Sequence, residues 1–221
     1  MNIIQTWKTN EIPLIYSKFI EKIRLHGRNW NILFFTDEDI IKFIERVYPE
    51  YLEVFTNLKH KIEQIDFFRY LAVYHYGGLY LDLDMLIESN LDSILEDPTK
   101  CKFPIELQNV RDTYLLKQKF SNLIGNYAFY APCKHPFLKK IIENIVNPRL
   151  TPKDIEDVLS TNGDSREQVN VYCRTGPILV TQTYIDCDET EKEEIVLIKP
   201  APFIEERFGR YGIHGCYGSW K

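Results

Sequence analysis

Residues 76–85 read Tyr76-Gly77-Gly78-Leu79-Tyr80-Leu81-Asp82-Leu83-Asp84-Met85. Two adjacent glycines close a helical pattern, three apolar residues follow as a buried strand, and two acids end it. On a strand successive side chains alternate faces, so this spacing predicts that Asp82 and Asp84 project to one side while Leu83 turns back to the core. Carboxylates held that close repel unless a cation or a shared proton compensates them. A hard divalent ion is the natural compensator, and a hydrated acidic turn at a strand end is the plainer reading of the pair alone.

The helix leading into this turn is predicted over residues 59–76, with Ile62, Ile65, Asp66, Arg69, Ala72, Val73 and Tyr76 along its inward stripe. Asp66 and Arg69 thus occupy positions where packing asks for apolar side chains. One turn apart, they can pair. Buried ion pairs are often no more stabilising than hydrophobic replacements, so the pair points to a reason other than stability.

Working outward, Ile3 and Ile4 with Trp7 suggest a first strand, and Ile15, Phe19, Ile23 and Leu25 a helix stopped by Gly27. Residues 30–35 form an apolar run of strand length, and Thr36 before Asp37, Glu38 and Asp39 has the chemistry of a helix cap and an acidic first turn. Ile40, Ile41, Ile44 and Val47 mark the inward face of that helix. Strand, helix, strand, helix is the start of an α/β sheet with right-handed crossovers. Downstream, Leu91, Ile94 and Leu95 read as one helical turn, 126–131 as a strand and Pro136 to Val146 as a helix. Thr151 and Pro152 open another helix as cap and first residue. Residues 161–167 read as a loop, Thr175-Gly176-Pro177 as the start of a helix running to Tyr184, and 196–198 as an edge strand. The tail sets Gly209, Gly212, Gly215 and Gly218 among Tyr211, His214, Tyr217 and Trp220. That composition suggests a mobile lid over 209–221 rather than a packed element.

A length of 221 residues with 44% hydrophobic content is expected to form one domain spanning 1–221. The net charge of −5 argues against nucleic acid as a partner. Cys101, Cys133, Cys173, Cys187 and Cys216 are scattered without C-x-x-C spacing, which suggests reduced thiols rather than a disulfide framework. No run approaches the ~18 apolar residues of a membrane span, and no signal-peptide layout or N-x-Ser/Thr acceptor occurs, so a soluble cytoplasmic protein is expected. Of the histidines, His214 in the glycine-rich tail is best placed to join the two acids on a borderline-hard ion. His26, His60, His75 and His135 have no acid at ligand spacing in the sequence and read as structural.

Several motifs then follow one another in a familiar order. These are 3–13 with Ile3-Ile4-Gln5-Thr6-Trp7-Lys8, the 30–37 strand and turn, Gln64-x-Asp66-x-x-Arg69-Tyr70, and Gly77-Gly78-x-Tyr80-x-Asp82-x-Asp84. Asn126 to Pro136, Thr175-Gly176-Pro177 and His214 to Trp220 complete the series. The chain resembles the glycosyltransferases with a DXD sugar-binding motif, the group that includes yeast initiating α-mannosyltransferases and bacterial capsule enzymes. The resemblance covers essentially the whole chain. It implies a GT-A fold, a Rossmann-like mixed sheet flanked by helices, with a nucleotide-sugar donor and Mn²⁺ or Mg²⁺. It further implies transfer with retention to a glycan, glycolipid or protein acceptor. UDP-linked hexoses are favoured over GDP-mannose.

Carried over position by position, Asp84 would ligate the metal, Asp82 would contact the ribose or the ion, and His214 would complete the metal shell. Trp7 would stack on the nucleobase, Asp66 and Arg69 would hold hydroxyls of the donor sugar, and Tyr80 and Asn126 would line the donor site. Ser219 and Trp220 would close on the diphosphate. Asp66, Arg69, Asp82 and Asp84 form the implied catalytic set. One departure is Ile4, where the family's usual residue is His; the chain also runs a single residue past Trp220. Two other classes compete. A phosphatase of the haloacid dehalogenase type would use Asp82 as nucleophile, but it sets its Asp-x-Asp near the start of the chain. A non-catalytic nucleotide-sugar binder would have shed the acid pair or the D-x-x-R, and neither is lost.

Overall fold

The computed structural model describes residues 1–108, 112–161, 163–200 and 207–218. Strand β1 (Asn2–Thr6), helix α1 (Ser17–His26) and strand β2 (Asn31–Phe35) make the first unit, with β2 parallel to β1 and Ile3 opposite Ile32. Phe19 and Ile23 of α1 are buried as expected, whereas Ile15 and Leu25 are exposed. The chain enters α1 through a 3-10 turn, Leu14–Tyr16, which shifts the phase of the apolar face so that Tyr16 points inward instead. Helix α2 (Asp37–Val47) starts from a complete capping box. The Thr36 side chain accepts from the Asp39 amide, and Asp39 accepts from the Thr36 amide. Its buried side chains are Ile40, Phe43 and Ile44, with Ile41 turned to solvent.

A short helix unforeseen in the sequence, α3 (Leu52–Asn57), precedes α4 (Lys61–Tyr76). Helix α4 has no single buried stripe: Asp66 through Val73 are buried without interruption, so it runs through the interior. It ends at Gly77 and Gly78, whose φ angles are +64° and +121°. A Cβ on Gly78 would run into the Asn2 carbonyl, so glycine is required for the next strand to lie against β1. That strand, β3 (Gly78–Leu81), is parallel to β1, with Leu79 opposite Ile3.

The two acids are not on the strand. β3 stops at Leu81, and the Met85 amide donates to the Asp82 carbonyl (3.1 Å), closing a turn that carries Asp82, Leu83 and Asp84. The turn still gathers both carboxylates on one side, and Leu83 packs inward with Tyr16 and Phe19. Strand β4 (Met85–Ile87) follows, then a 3-10 helix at Leu91–Glu96, and β5 (Cys101–Leu107). Next come α5 (Thr113–Lys117), β6 (Leu123–Ile124), β7 (Ala128–Ala131) and α6 (Pro136–Val146). Helix α7 (Pro152–Leu159) is capped by Thr151 as expected. Helix α8 (Arg166–Arg174) begins inside the stretch read as a loop, capped by Ser165. Helices α9 (Pro177–Ile185) and α10 (Glu189–Glu193) lead to β8 (Ile195–Ile198).

The main sheet has seven strands in the order β2-β1-β3-β7-β5-β6, with β8 beside β5. β7 runs antiparallel to β3 and β5, so the sheet is mixed. Alternation divides the core. Ile4, Tyr80 and Phe129 face the cluster formed with α2, α4 and α6, while Ile3, Leu79 and Leu81 face a second cluster with Ile23, Trp30 and Phe208. This is the helix-flanked α/β domain the sequence implied.

Of the lid expected to be mobile over 209–221, the described residues up to His214 are tied into a sheet. Strands β9 (Arg207–Phe208) and β10 (Gly212–His214) form a small antiparallel sheet with β4, in which His214 lies opposite Met85. Phe208 and Tyr211 are buried in the second cluster, which is the apolar contribution that glycine spacing concealed. Among the described residues all five cysteines are free thiols, and no helix is long and apolar enough to cross a membrane.

Candidate active site

The site grows from the middle of α4 and the C-terminal end of β3. Asp66 and Arg69, one turn apart on α4, are each only 3% exposed and lie 3.2 Å apart. Both oxygens of Asp66 are engaged. Oδ1 meets Arg69 and accepts from Asn126 Nδ2 (3.2 Å), and Oδ2 accepts from the Thr175 hydroxyl (2.8 Å). Tyr70 locks the same network: its hydroxyl donates to the Thr175 carbonyl and accepts from Asn126 Nδ2. Burial pushes the Asp66 carboxyl up from its ordinary range, and Arg69 and the Thr175 hydroxyl pull it part of the way back.

Arg69 links this pair to the acids. Its Nη1 donates to the Asn126 carbonyl (2.8 Å), its Nη2 lies 3.4 Å from Asp82, and its guanidinium sits over the Tyr80 ring. Tyr80 is fully buried, and its hydroxyl donates to Asp82 Oδ1 (2.7 Å). It therefore anchors Asp82 from within the protein and is not among the residues that line the cavity.

Asp82, Asp84 and His214 form the cluster anticipated from the sequence, each offering one ligand atom within 4.8 Å of the others. His214 Nε2 lies 3.3 Å from Asp84 and 3.8 Å from Asp82. Burial works against charge on His214. The hydrogen bonds to Asp84 and Cys216 and the two neighbouring carboxylates outweigh it and push its pKa up to about 11. Burial would raise Asp84 as well, but His214 and the Tyr217 amide, which donates to Oδ2 at 2.9 Å, hold it below the usual carboxylate range. The Gly215 amide donates to the Asp84 carbonyl, so the tail wraps the second acid. Tyr127 stacks on the His214 ring, with centroids 4.4 Å apart and planes 8° from parallel. Two carboxylates and an imidazole suit a hard to borderline divalent ion such as Mn²⁺ or Mg²⁺, so the donor set fits the implied metal.

A cavity of about 1000 Å³ opens over these groups, and Trp7, Asp66, Arg69, Asp82, Asn126 and His214 line it. Trp7 follows β1 and packs on Tyr16 (4.9 Å between ring centroids), leaving it half-exposed at the cavity wall. Ser219 and Trp220 lie outside the described residues. Thr175, Tyr70 and Tyr127 were not singled out as site residues. The hydroxyl directly before Gly176-Pro177 is a signal for the first, although it reads more simply as a helix start. Nothing in the spacing of Tyr127 marks it as the partner of His214.

The chain is similar to known proteins in both sequence and fold. Residues 15–100 match the family described as a glycosyltransferase sugar-binding region containing a DXD motif. The chain is 31% identical over 146 residues to inositol phosphoceramide mannosyltransferase 1 of Schizosaccharomyces pombe, covering 65% of this chain and 41% of that protein. It is 40% identical over 144 residues to the mannosyl phosphorylinositol ceramide synthase SUR1 of Saccharomyces cerevisiae, covering 65% of this chain and 34% of that protein. The matches thus take in well under half the length of these relatives. In fold it is similar to the PaToxG glycosyltransferase, with a TM-score of 0.52 at 16% identity over 82% of this chain and 67% of that one. The fold is therefore of the GT-A type. Residues 15–100 are thus similar to the sugar-binding region, with its DXD motif, of these glycosyltransferases.

Proposed function

We propose that this chain is a metal-dependent, retaining glycosyltransferase that moves a hexose from a nucleotide sugar to an acceptor. The observation that carries the reading is the Asp82–Asp84–His214 donor set opening into the same cavity as the Asp66–Arg69 pair. A bound divalent ion would supply Lewis-acid stabilisation to the departing diphosphate. Asp82, Asp84 and His214 would hold that ion, Trp7 would offer its ring to the base, and Arg69, anchored by Asp66 and the Asn126 carbonyl, would orient the sugar. Asp66 has both oxygens taken by Arg69, Asn126 and Thr175, which disfavours it as a covalent nucleophile. Attack by the acceptor on the leaving-group face is the mechanism that remains for retention.

The curated relatives carry mannosyltransferase names, which moves mannose ahead of the UDP-linked hexoses favoured by the motif resemblance alone. Their names also put inositol phosphoceramide first among acceptors to try, with glycans and proteins after it. The test is a donor screen: GDP-mannose and UDP-glucose, UDP-galactose and UDP-N-acetylglucosamine, each with Mn²⁺ or EDTA, read as nucleoside diphosphate release. Metal-dependent release from one donor supports the reading. Equal release in EDTA removes the metal, silence with every donor favours a binder, and phosphate released from simple phosphoesters favours the phosphatase.

A further inference from the structure

The outer face of α1 and the turn before it are not used by the site. Ile12, Pro13, Leu14 and Ile15 are four apolar residues in a row, and Leu14 and Ile15 are 88% and 62% exposed. Consecutive exposed aliphatic residues are avoided on a soluble surface unless something covers them. Steps of four, four and three from Leu14 reach Lys18, Lys22 and Leu25, the last 43% exposed, whereas Tyr16, Phe19 and Ile23 take the opposite, buried face. Aliphatic and basic side chains therefore share one outward line.

The charge pattern is independent of that line. Between residues 8 and 28 stand Lys8, Lys18, Lys22, Arg24 and Arg28 against Glu11 and Glu21, a local excess of cations in a chain of net charge −5. Among the described residues none of these five cations enters an ion pair, in contrast to Lys42, Lys61, Lys117 and Arg166. Lys18 also lies in the first turn of α1, which holds no acidic residue and no capping side chain. A cation there opposes the helix dipole, so folding does not account for it.

We propose that this face docks the chain on an anionic lipid bilayer, with Leu14 and Ile15 entering the interface and Lys18, Lys22 and their neighbours meeting the lipid headgroups. Tyr16, the last residue of the same 3-10 turn, lines the cavity together with Trp7 and Lys8, so docking would set the cavity beside the membrane surface. Only that last consequence rests on the transferase reading.

Co-sedimentation of the 221-residue chain with vesicles tests the proposal without donor, metal or acceptor, so its outcome is separate from the donor screen. Phosphatidylcholine vesicles with about 30% phosphatidylserine should bind the chain, phosphatidylcholine alone should not, and raising the salt to about 0.5 M should weaken binding. The double change Leu14→Ser, Ile15→Ser should lower partitioning about tenfold or more, and Lys18→Ala and Lys22→Ala about fivefold each. Leu14, Ile15 and Lys18 are exposed and Lys22 is half-buried, and unchanged circular dichroism would confirm that the variants fold. The proposal falls if anionic vesicles fail to bind, or if the Leu14, Ile15 variant binds as well as the parent. It also falls if soluble polyglutamate binds as tightly as the vesicles. A concentration-dependent dimer that the same double change abolishes, without vesicle binding, would instead assign the face to a second copy of the chain.

Discussion

Two charged groups meet at Asp82, and they are built differently. Asp66 and Arg69 belong to one helix, are almost sealed from solvent, and have partners for both carboxylate oxygens within the protein. Asp82, Asp84 and His214 come from a turn and a late strand, lie at the cavity wall, and set two carboxylates against one imidazole. The first group balances its charge with fixed residues. In the second, balance depends on something exchangeable, either the proton that the acids keep on His214 or a metal ion taking its place. On the proposed function, the contrast separates a scaffold for orientation from a socket for a cation.

The largest effect should come from the socket. Asp84→Asn or Asp82→Asn is expected to lower turnover about a thousandfold or more by removing the charge that holds the ion. Neither change removes core volume, so the fold should persist, although Asp84→Asn also removes the main partner of protonated His214 and should lower the Tm of the metal-free protein. A turnover assay with a melting curve checks this, and near-parental activity in either variant would erase the distinction between the two groups.

Arg69→Ala should weaken the fold itself. It strands Asp66 in the interior, and breaking such a buried pair costs about 3–5 kcal/mol, readable from the denaturant midpoint. Activity unaffected at a temperature where the variant is folded would make the pair purely structural. A smaller change probes how the pair is positioned. Thr175→Val removes the donor to Asp66 Oδ2 and should cost about 1–3 kcal/mol and lower kcat more than it raises KM. Thr175→Ser should restore both parameters, because it keeps the hydroxyl.

The pH response should be the smallest effect and the most specific. His214 has a folded pKa of about 11 against an ordinary value of 6.5. Its stabilising contribution in metal-free protein is therefore full below about pH 6.5 and is lost as pH rises toward 11, with a slope no steeper than about 1.4 kcal/mol per unit. The Tm should fall between pH 7 and 9 in the parent and stay flatter in His214→Ala. Mn²⁺ must displace that proton, so its affinity should rise over the same interval. A parent curve as flat as that of the variant would show that His214 is neutral.

How much of this was readable without coordinates follows from the range of each signal. Thr36, Thr151 and Pro152 mark helix starts through contacts within a few residues, and the structure places those starts where the sequence does. Asp66 and Arg69 stood out because charge interrupted an apolar pattern. β5 was missed because Pro104 sits in it, and a proline argues against a strand unless the position needs no amide donor. β10 was missed because its three residues form a strand only by pairing with β4, far away in sequence. The turn at Asp82 looked like strand because alternation and a tight turn both bring residues two apart to one side. Thr175 and Tyr127 act through partners that no local pattern connects to them.

The pairing of β10 with β4 does more than pack the tail. Met85 lies opposite His214 and Ile87 opposite Gly212, and side chains on such a ladder switch faces with every residue. A slip of one position would present Ile213 or Gly215 to the two acids, leaving an aliphatic group or no side chain where the imidazole stands. Gly212 opposes that slip, because any Cβ at its place would run into the Leu86 carbonyl. Gly212 thus works as an alignment key for His214, the third member of the candidate set. Inserting or deleting a single residue between Tyr211 and His214 would change the chemistry of the site while leaving both acids where they are.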